Sequence, residues 1–386
     1  MVDSINVQKP NFVNLNALRF FAFFAVLLSH AYSYYAYHFP NKYMEILHRH
    51  FFINGNLGVN FFFVLSGFLI SWLLFIEKEK SGKIDVKAFY LRRIFRIWPV
   101  YYLVVFIGFM MPLITDFHFM SQPYFHITTS IKQLPWYLFF LGNFDIIVNG
   151  ASNFILSVLW SVSVEEQFYL VWPIVFMLLS KKHVRNFCFL VICISFIYRV
   201  KNNTSLVAYY STLSAMSDLA IGSLAAYYCL YNKKFMEWIT QLSRKKIVLI
   251  YVALMAYIPL HGFSHIFGEL PFLVYHPFEP IFFSLLFALI LLEQNFSVNS
   301  LFKFGRIKLF SEWGKISYGL YSYHAIMFPF VFILTDALFP QDSFVQYLVR
   351  IVFSLLLTII FSKLSYKFFE TPFLKIKQKY SRIIII

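Results

Sequence analysis

Apolar residues run along this chain in blocks long enough to cross a lipid bilayer, and the short segments between them carry most of the charge. A spanning helix needs about 20 mainly apolar residues. The pattern predicts ten such helices, over 15–37, 57–76, 90–112, 156–179, 186–200, 205–230, 247–262, 274–293, 314–336 and 345–369, the fifth being short. A further stretch, 134–147 (LPWYLFFLGNFDII), is apolar but short and interrupted, so hydropathy alone fits either an eleventh span or a re-entrant segment. Charge separates the two. With ten spans, the basic clusters at 77–96, 181–185, 232–246, 299–315 and in the tail all fall on one side. The other side holds only Lys42, Arg49, Lys132, Arg199 and Lys201, while Arg19 and Arg350 lie inside spans. The positive-inside rule makes the basic side cytoplasmic and puts both termini there. An eleventh crossing would turn every later basic cluster outward, so 134–147 is expected not to cross.

The expected fold is therefore all-α: a polytopic integral membrane protein of about ten transmembrane helices, one domain over 1–386. Residues 20–28 resemble a signal-peptide core, and Ser29-His30-Ala31 loosely fits a cleavage site. Arg19 lies well inside the apolar run, however, and many spans follow, so an uncleaved first helix is expected.

Composition agrees with this reading. The chain is 60% hydrophobic and 13% charged, against about 25% charged in soluble domains. Its net charge of +15 sits in short clusters between spans, which argues against nucleic-acid binding. Cys188, Cys193 and Cys229 lie in or beside apolar spans without metal-like spacing and read as small buried hydrophobes. His48/His50 and His261/His265 have ligand-like spacing but fall in loops without acidic company, so no metal is expected.

Polar groups inside the spans are more informative, because ionisable side chains at depth cost roughly 2.5–3.5 kcal/mol on insertion scales and are usually kept for function. Arg19 and His30 share the first span. Eleven steps at about 100° make roughly three turns, so both point from one face, about 16 Å apart along the axis. That places an arginine near one membrane surface and a histidine near the midplane. In the second span, Ser66-Gly67 reads as a packing site or a polar contact. Arg92 and Arg96 are spaced i,i+4 at the mouth of the third, with Arg93 beside them. Guanidinium suits planar phosphate binding, although simple anchoring is the rival reading. Glu165 and Glu166 lie mid-span in the fourth and point about 100° apart, so only one is expected to face a given partner. Asp218 in the sixth and His324 in the ninth fit either helix–helix hydrogen bonds or function. His30, the glutamates, Asp218 and His324 at similar depth suggest one shared buried cavity.

Five stretches in this order resemble the acyltransferase-3 family of membrane O-acyltransferases: NLNALRFFAFFAVLLSH (14–30), GNLGVNFFFVLSGFLI (55–70), FYLRRIFRIWPVYY (89–102), LWSVSVEEQFYLVWP (159–173) and ISYGLYSYH (316–324). The resemblance implies transfer of an acetyl or similar acyl group from cytoplasmic acyl-CoA, here acetyl-CoA, to a cell-envelope glycan or glycolipid in the bacterial inner membrane. Lipopolysaccharide O-antigen, capsule, exopolysaccharide, peptidoglycan and a small molecule are all open as acceptors. It equates Arg19 and His30 with the family's arginine–ten–histidine signature, and Arg92, Arg93 and Arg96 with its third-helix arginine motif. Asn60 stands where family members often carry an acid. Some relatives carry a further hydrolase-like domain; this chain ends about 17 residues past its last expected span, so no appended extracytoplasmic domain is expected.

Acyl transfer from a thioester to an alcohol needs a base, an oxyanion donor and a grip on the donor molecule. His30 is the expected base, oriented by Glu165 or Glu166, with His324 assisting acceptor or oxyanion. Arg19, Arg92, Arg93 and Arg96 would hold the CoA phosphates, and Ser66 and Asp218 would line the substrate path. A covalent acyl relay is a rival chemistry. A transporter or flippase is a rival class, since buried charges also mark solute pathways, but it predicts repeats that this chain lacks.

Overall fold

A computed structural model describes residues 12–35, 55–114, 129–151, 153–202, 206–263, 277–338 and 344–380. Ten long helices organise them: α1 (Val13–Tyr35), α2 (Gly55–Ser81), α3 (Val86–Ile114), α4 (Trp160–Leu178), α5 (Lys181–Lys201), α6 (Thr212–Tyr231), α7 (Arg244–Phe263), α8 (Glu279–Phe296), α9 (Ser317–Leu338) and α10 (Phe344–Ser365). Each expected span coincides with one of them. Among the described residues nine helices are long and apolar enough to cross a membrane, while α7 is the further helix over the expected span 247–262. The short fifth span is longer than hydropathy suggests, because Lys181–Arg185 extend its helix at the start and Lys201 adds one residue at the end. His48, His50 and His265 and the side chain of His261 lie outside the described residues.

Small residues set the closest packing. A Cβ on Gly67 of α2 would sit 1.9 Å from the Leu219 carbonyl oxygen, and one on Gly222 of α6 would sit 2.0 Å from that of Val64. Apolar matching drives little helix association inside lipid, so such backbone approach is what holds these two helices together. Gly67→Ala should force them apart and lower stability by about 1–3 kcal/mol, read as a lower thermal unfolding midpoint in detergent.

Polar residues fasten the basic end. Lys78 Nζ donates to the Phe176 and Leu179 carbonyls at 2.6 and 2.7 Å, capping α4. Lys303 Nζ does the same for α8 through Glu293 and Gln294, at 3.0 and 2.6 Å. Both place a cation against the negative end of a helix dipole. Asn14 donates to the Gln294 carbonyl at 2.8 Å and accepts from the Gly305 amide at 2.9 Å, fixing the start of α1.

Segment 134–147 forms no single helix. It folds into Leu134–Leu138 and Gly142–Asn149, joined at Phe140, whose φ is 55°. Neither piece is long enough to span a bilayer. Tyr101 and Tyr102 donate to the Tyr137 and Leu138 carbonyls at 2.9 and 3.0 Å, and Gln167 Nε2 donates to that of Phe140 at 2.7 Å. These donors lie near the middles of α3 and α4, so the hairpin tip reaches their mid-length. Asp145, 1% exposed, accepts from Gln133, Tyr137 and Asn149 within the same segment.

Candidate active site

Helical spacing turns Ser161, Glu165 and Tyr169 of α4 to one side, where they meet Ser66 of α2, Arg19 of α1 and the arginines of α3 around a cavity of about 560 Å³. Ligand sites commonly fall between 300 and 1,000 Å³. Arg19, Arg92, Arg93 and Arg96 all line it, as expected from their spacing. Arg19 donates to Asn16 Oδ1 at 3.0 Å, and Arg92 pairs with Glu77 at 3.2 Å. The Arg93 guanidinium stands 5.7 Å from the Tyr169 ring, and its Nε is buried with no hydrogen-bond partner.

The adjacent carboxylates diverge. Glu165 lines the cavity and accepts from Ser66 Oγ at 2.8 Å and the Tyr169 hydroxyl at 3.2 Å. Glu166 turns to Trp98 Nε1 at 2.9 Å, and its other oxygen is buried and unpartnered. Neither hydrogen bonds to His30. The residue pair 66–67 divides its work, Ser66 facing the cavity and Gly67 packing on α6.

His30 instead meets His324. Their rings lie edge to edge in nearly one plane, with centroids 5.1 Å apart and planes 7° from parallel, and His30 Nδ1 lies 2.8 Å from His324 Nε2. His324 Nδ1 lies 2.6 Å from the Tyr321 carbonyl oxygen. A carbonyl only accepts, so His324 Nδ1 carries the proton. With both rings neutral, His324 Nε2 must then accept from His30 Nδ1. The chain of bonds leaves the lone pair on His30 Nε2. His324 is fully buried and His30 only half-buried, so the accessible ring is the one holding that lone pair.

The histidine pair does not line the cavity; it lies one residue beyond its end. Tyr321 faces the cavity, its hydroxyl 2.6 Å from Ser161 Oγ and 3.0 Å from the Val158 carbonyl oxygen, to which it donates. Its ring centroid is 5.9 Å from that of Phe62 and 5.7 Å from that of His324. Asp218 lies elsewhere, between α5 and α6. It pairs with Arg199 at 3.6 Å and accepts from Ser217 Oγ at 2.9 Å. Arg199, expected in an outer loop, is 3% exposed within α5, because the carboxylate draws it inward. The shared cavity expected from four spans therefore gathers Glu165 but neither Glu166 nor Asp218, and the histidine pair stands outside it.

Sequence reasoning missed Lys315, Lys377, Glu77, Tyr169 and Tyr321, which also line the cavity. A signal existed for Tyr169 alone: the i,i+4 series Ser161, Glu165, Tyr169 marks one polar stripe on α4.

Fold and site define a multi-pass membrane protein in which a cationic cavity leads toward a buried histidine pair. The chain belongs to the acyltransferase-3 family, whose sequence profile, described as an acyltransferase domain, matches residues 12–366. It is 28% identical to the O-acetyltransferase OatA of Staphylococcus aureus (strain NCTC 8325 / PS 47), over 96% of this chain and 58% of that protein. It is 27% identical to the peptidoglycan O-acetyltransferase OatA of Listeria monocytogenes serovar 1/2a, over 83% of this chain and 51% of that protein. The chain thus spans little more than half the length of these curated relatives. No solved structure matches it.

Proposed function

We propose that this protein is a membrane O-acetyltransferase that moves an acetyl group from cytoplasmic acetyl-CoA to a hydroxyl of a cell-envelope glycan. The observation that carries this reading is the hydrogen-bond chain Tyr321 carbonyl–His324–His30, which leaves a half-buried imidazole nitrogen as base at the far end of an arginine-lined cavity. His30 Nε2 takes the acceptor's hydroxyl proton as the oxygen attacks the thioester carbonyl. The tetrahedral intermediate expels the CoA sulfur, which receives that proton from His30. Such proton transfer contributes roughly 10²–10⁴-fold. His324 holds the tautomer, the role that the sequence pattern leads one to expect of Glu165 or Glu166.

The arginine end is read as cytoplasmic, with both termini, because Lys78, Lys181, Lys303 and Lys315 belong to the basic loops of that same end. The hairpin 134–149 is read as re-entrant, and the site as lying in the bacterial cytoplasmic membrane. On this reading the Tyr321 ring turns aside as the thioester passes from the cavity to His30. The likeness to the Listeria peptidoglycan O-acetyltransferase makes peptidoglycan the first acceptor to test, ahead of lipopolysaccharide, capsule and exopolysaccharide.

Membranes containing the protein, supplied with radiolabelled acetyl-CoA, should incorporate label into envelope glycan. Flux of a polar solute without incorporated label would replace this reading with that of a transporter.

A further inference from the structure

Past α10, the residues Tyr366–Glu370 form a π-helical turn, and the chain then enters a short helix, Thr371–Gln378. Two contacts fasten its end to α3: Arg92 Nη1 donates to the Tyr380 carbonyl at 2.9 Å, and the Phe95 and Tyr380 rings stack with centroids 6.1 Å apart and planes 10° from parallel. Docked this way, the tail puts Lys377 into the cavity wall, half-buried; Lys315, the exposed last residue of the short helix Lys308–Lys315, lines the same cavity while pairing with Glu312 at 2.6 Å.

The cavity is then lined by six cationic side chains, Arg19, Arg92, Arg93, Arg96, Lys315 and Lys377, and by two carboxylates, Glu77 and Glu165. Both acids are engaged. Glu77 accepts from Arg92 and from the Asp85 amide, and Glu165 from Ser66 and Tyr169. Positive-inside anchoring needs cations facing headgroups and water; it gives no reason to bring Arg19 from α1, Arg92, Arg93 and Arg96 from α3 and Lys377 from the tail onto one cavity. Crowded like charges raise the energy of the empty cavity, and a polyanion offsets this. Deeper in, the cationic groups give way to Phe62, Ile70 and Val162 interleaved with Ser66, Ser161 and Glu165, which suits a ligand whose phosphates stay at the mouth while a thin, less charged arm runs inside.

We infer that the tail helix is part of the donor site: Lys377, with the arginines that line the same cavity, grips phosphate groups of the nucleotide half of acyl-CoA, and the Tyr380 contacts hold the helix in place for this. The inference rests on the acyl-CoA reading above. A phospholipid headgroup offers similar phosphate chemistry, so the test separates the two sources.

The full chain is reconstituted in nanodiscs of phosphatidylcholine, and CoA binding is titrated calorimetrically. Loss of one charge-assisted contact should weaken CoA binding about tenfold in Lys377→Gln, with Lys377→Arg close to wild type. In turnover the change should appear in KM for acetyl-CoA with kcat retained. Phe95→Leu removes the stack on Tyr380 but keeps every cation, and should weaken CoA in the same direction. If wild type binds CoA and both Lys377→Gln and Phe95→Leu bind it equally well, the tail is not part of the donor site, while the donor reading stands. If wild type binds no CoA, the donor reading itself falls. If adding phosphatidylglycerol abolishes CoA binding in wild type but not in Lys377→Gln, the lysine serves a lipid headgroup, and the inference is overturned.

Discussion

Replacing His30 by Ala should lower glycan acetylation by roughly 10²–10⁴-fold, the usual range for a positioned general base, while the protein still inserts and binds CoA. On the proposed mechanism His324 acts only through His30, since its two ring nitrogens are taken by His30 Nδ1 and the Tyr321 carbonyl. His324→Phe keeps the ring shape but removes the acceptor that orients the His30 tautomer, and a smaller loss, in kcat rather than KM, is expected. Groups that work as one unit are strongly non-additive. The double variant should therefore be no worse than His30→Ala alone. Initial rates of label transfer to isolated glycan decide the matter. Full activity in His30→Ala removes the base from the mechanism, and an additive double variant breaks the relay.

Arg96→Met should weaken acetyl-CoA binding about 10–100-fold while leaving the thermal midpoint of the ligand-free protein unchanged or raised. The sign is the informative part. Arg96 stands in the cavity with Arg19, Arg92, Arg93, Lys315 and Lys377, so in the empty protein it adds to like-charge repulsion. Neutralising it relieves that repulsion and removes a phosphate ligand at once. Sites shaped for binding commonly trade stability in this way. A simple membrane anchor behaves oppositely: its loss lowers the midpoint and leaves donor affinity unchanged. Calorimetric titration and thermal scans of one purified sample report both quantities.

Much of the architecture was legible in the chain because bilayer thickness dictates segment length and backbone polarity dictates helix. Apolar run length alone gave the ten helices. The interrupted pattern of 134–147 left a span or a re-entrant segment open, the distribution of basic loops argued against a crossing, and the segment folds as two short helices joined at Phe140. The arginines were legible too, since i,i+4 spacing puts Arg92 and Arg96 on one face whatever surrounds them. Partners were not. Nothing local to Asp218 points to Arg199, nineteen positions away in another helix. Nor does the tail show that Lys377 belongs with Arg19, because its basic residues match ordinary anchoring.

The sequence by itself determined which segments are helices, which helix faces carry charge, and that Arg19 and His30 share a face about three turns apart. Those properties follow from the helical repeat and the cost of exposing backbone to lipid, and both act within one segment. Only the tertiary structure decided that His30 meets His324 rather than a glutamate, that Glu165 faces the cavity while Glu166 turns to Trp98, and that the tail closes one wall. Such pairings depend on helix rotation and on contacts as close as those at Gly67 and Gly222. They are set by packing between segments far apart in the chain.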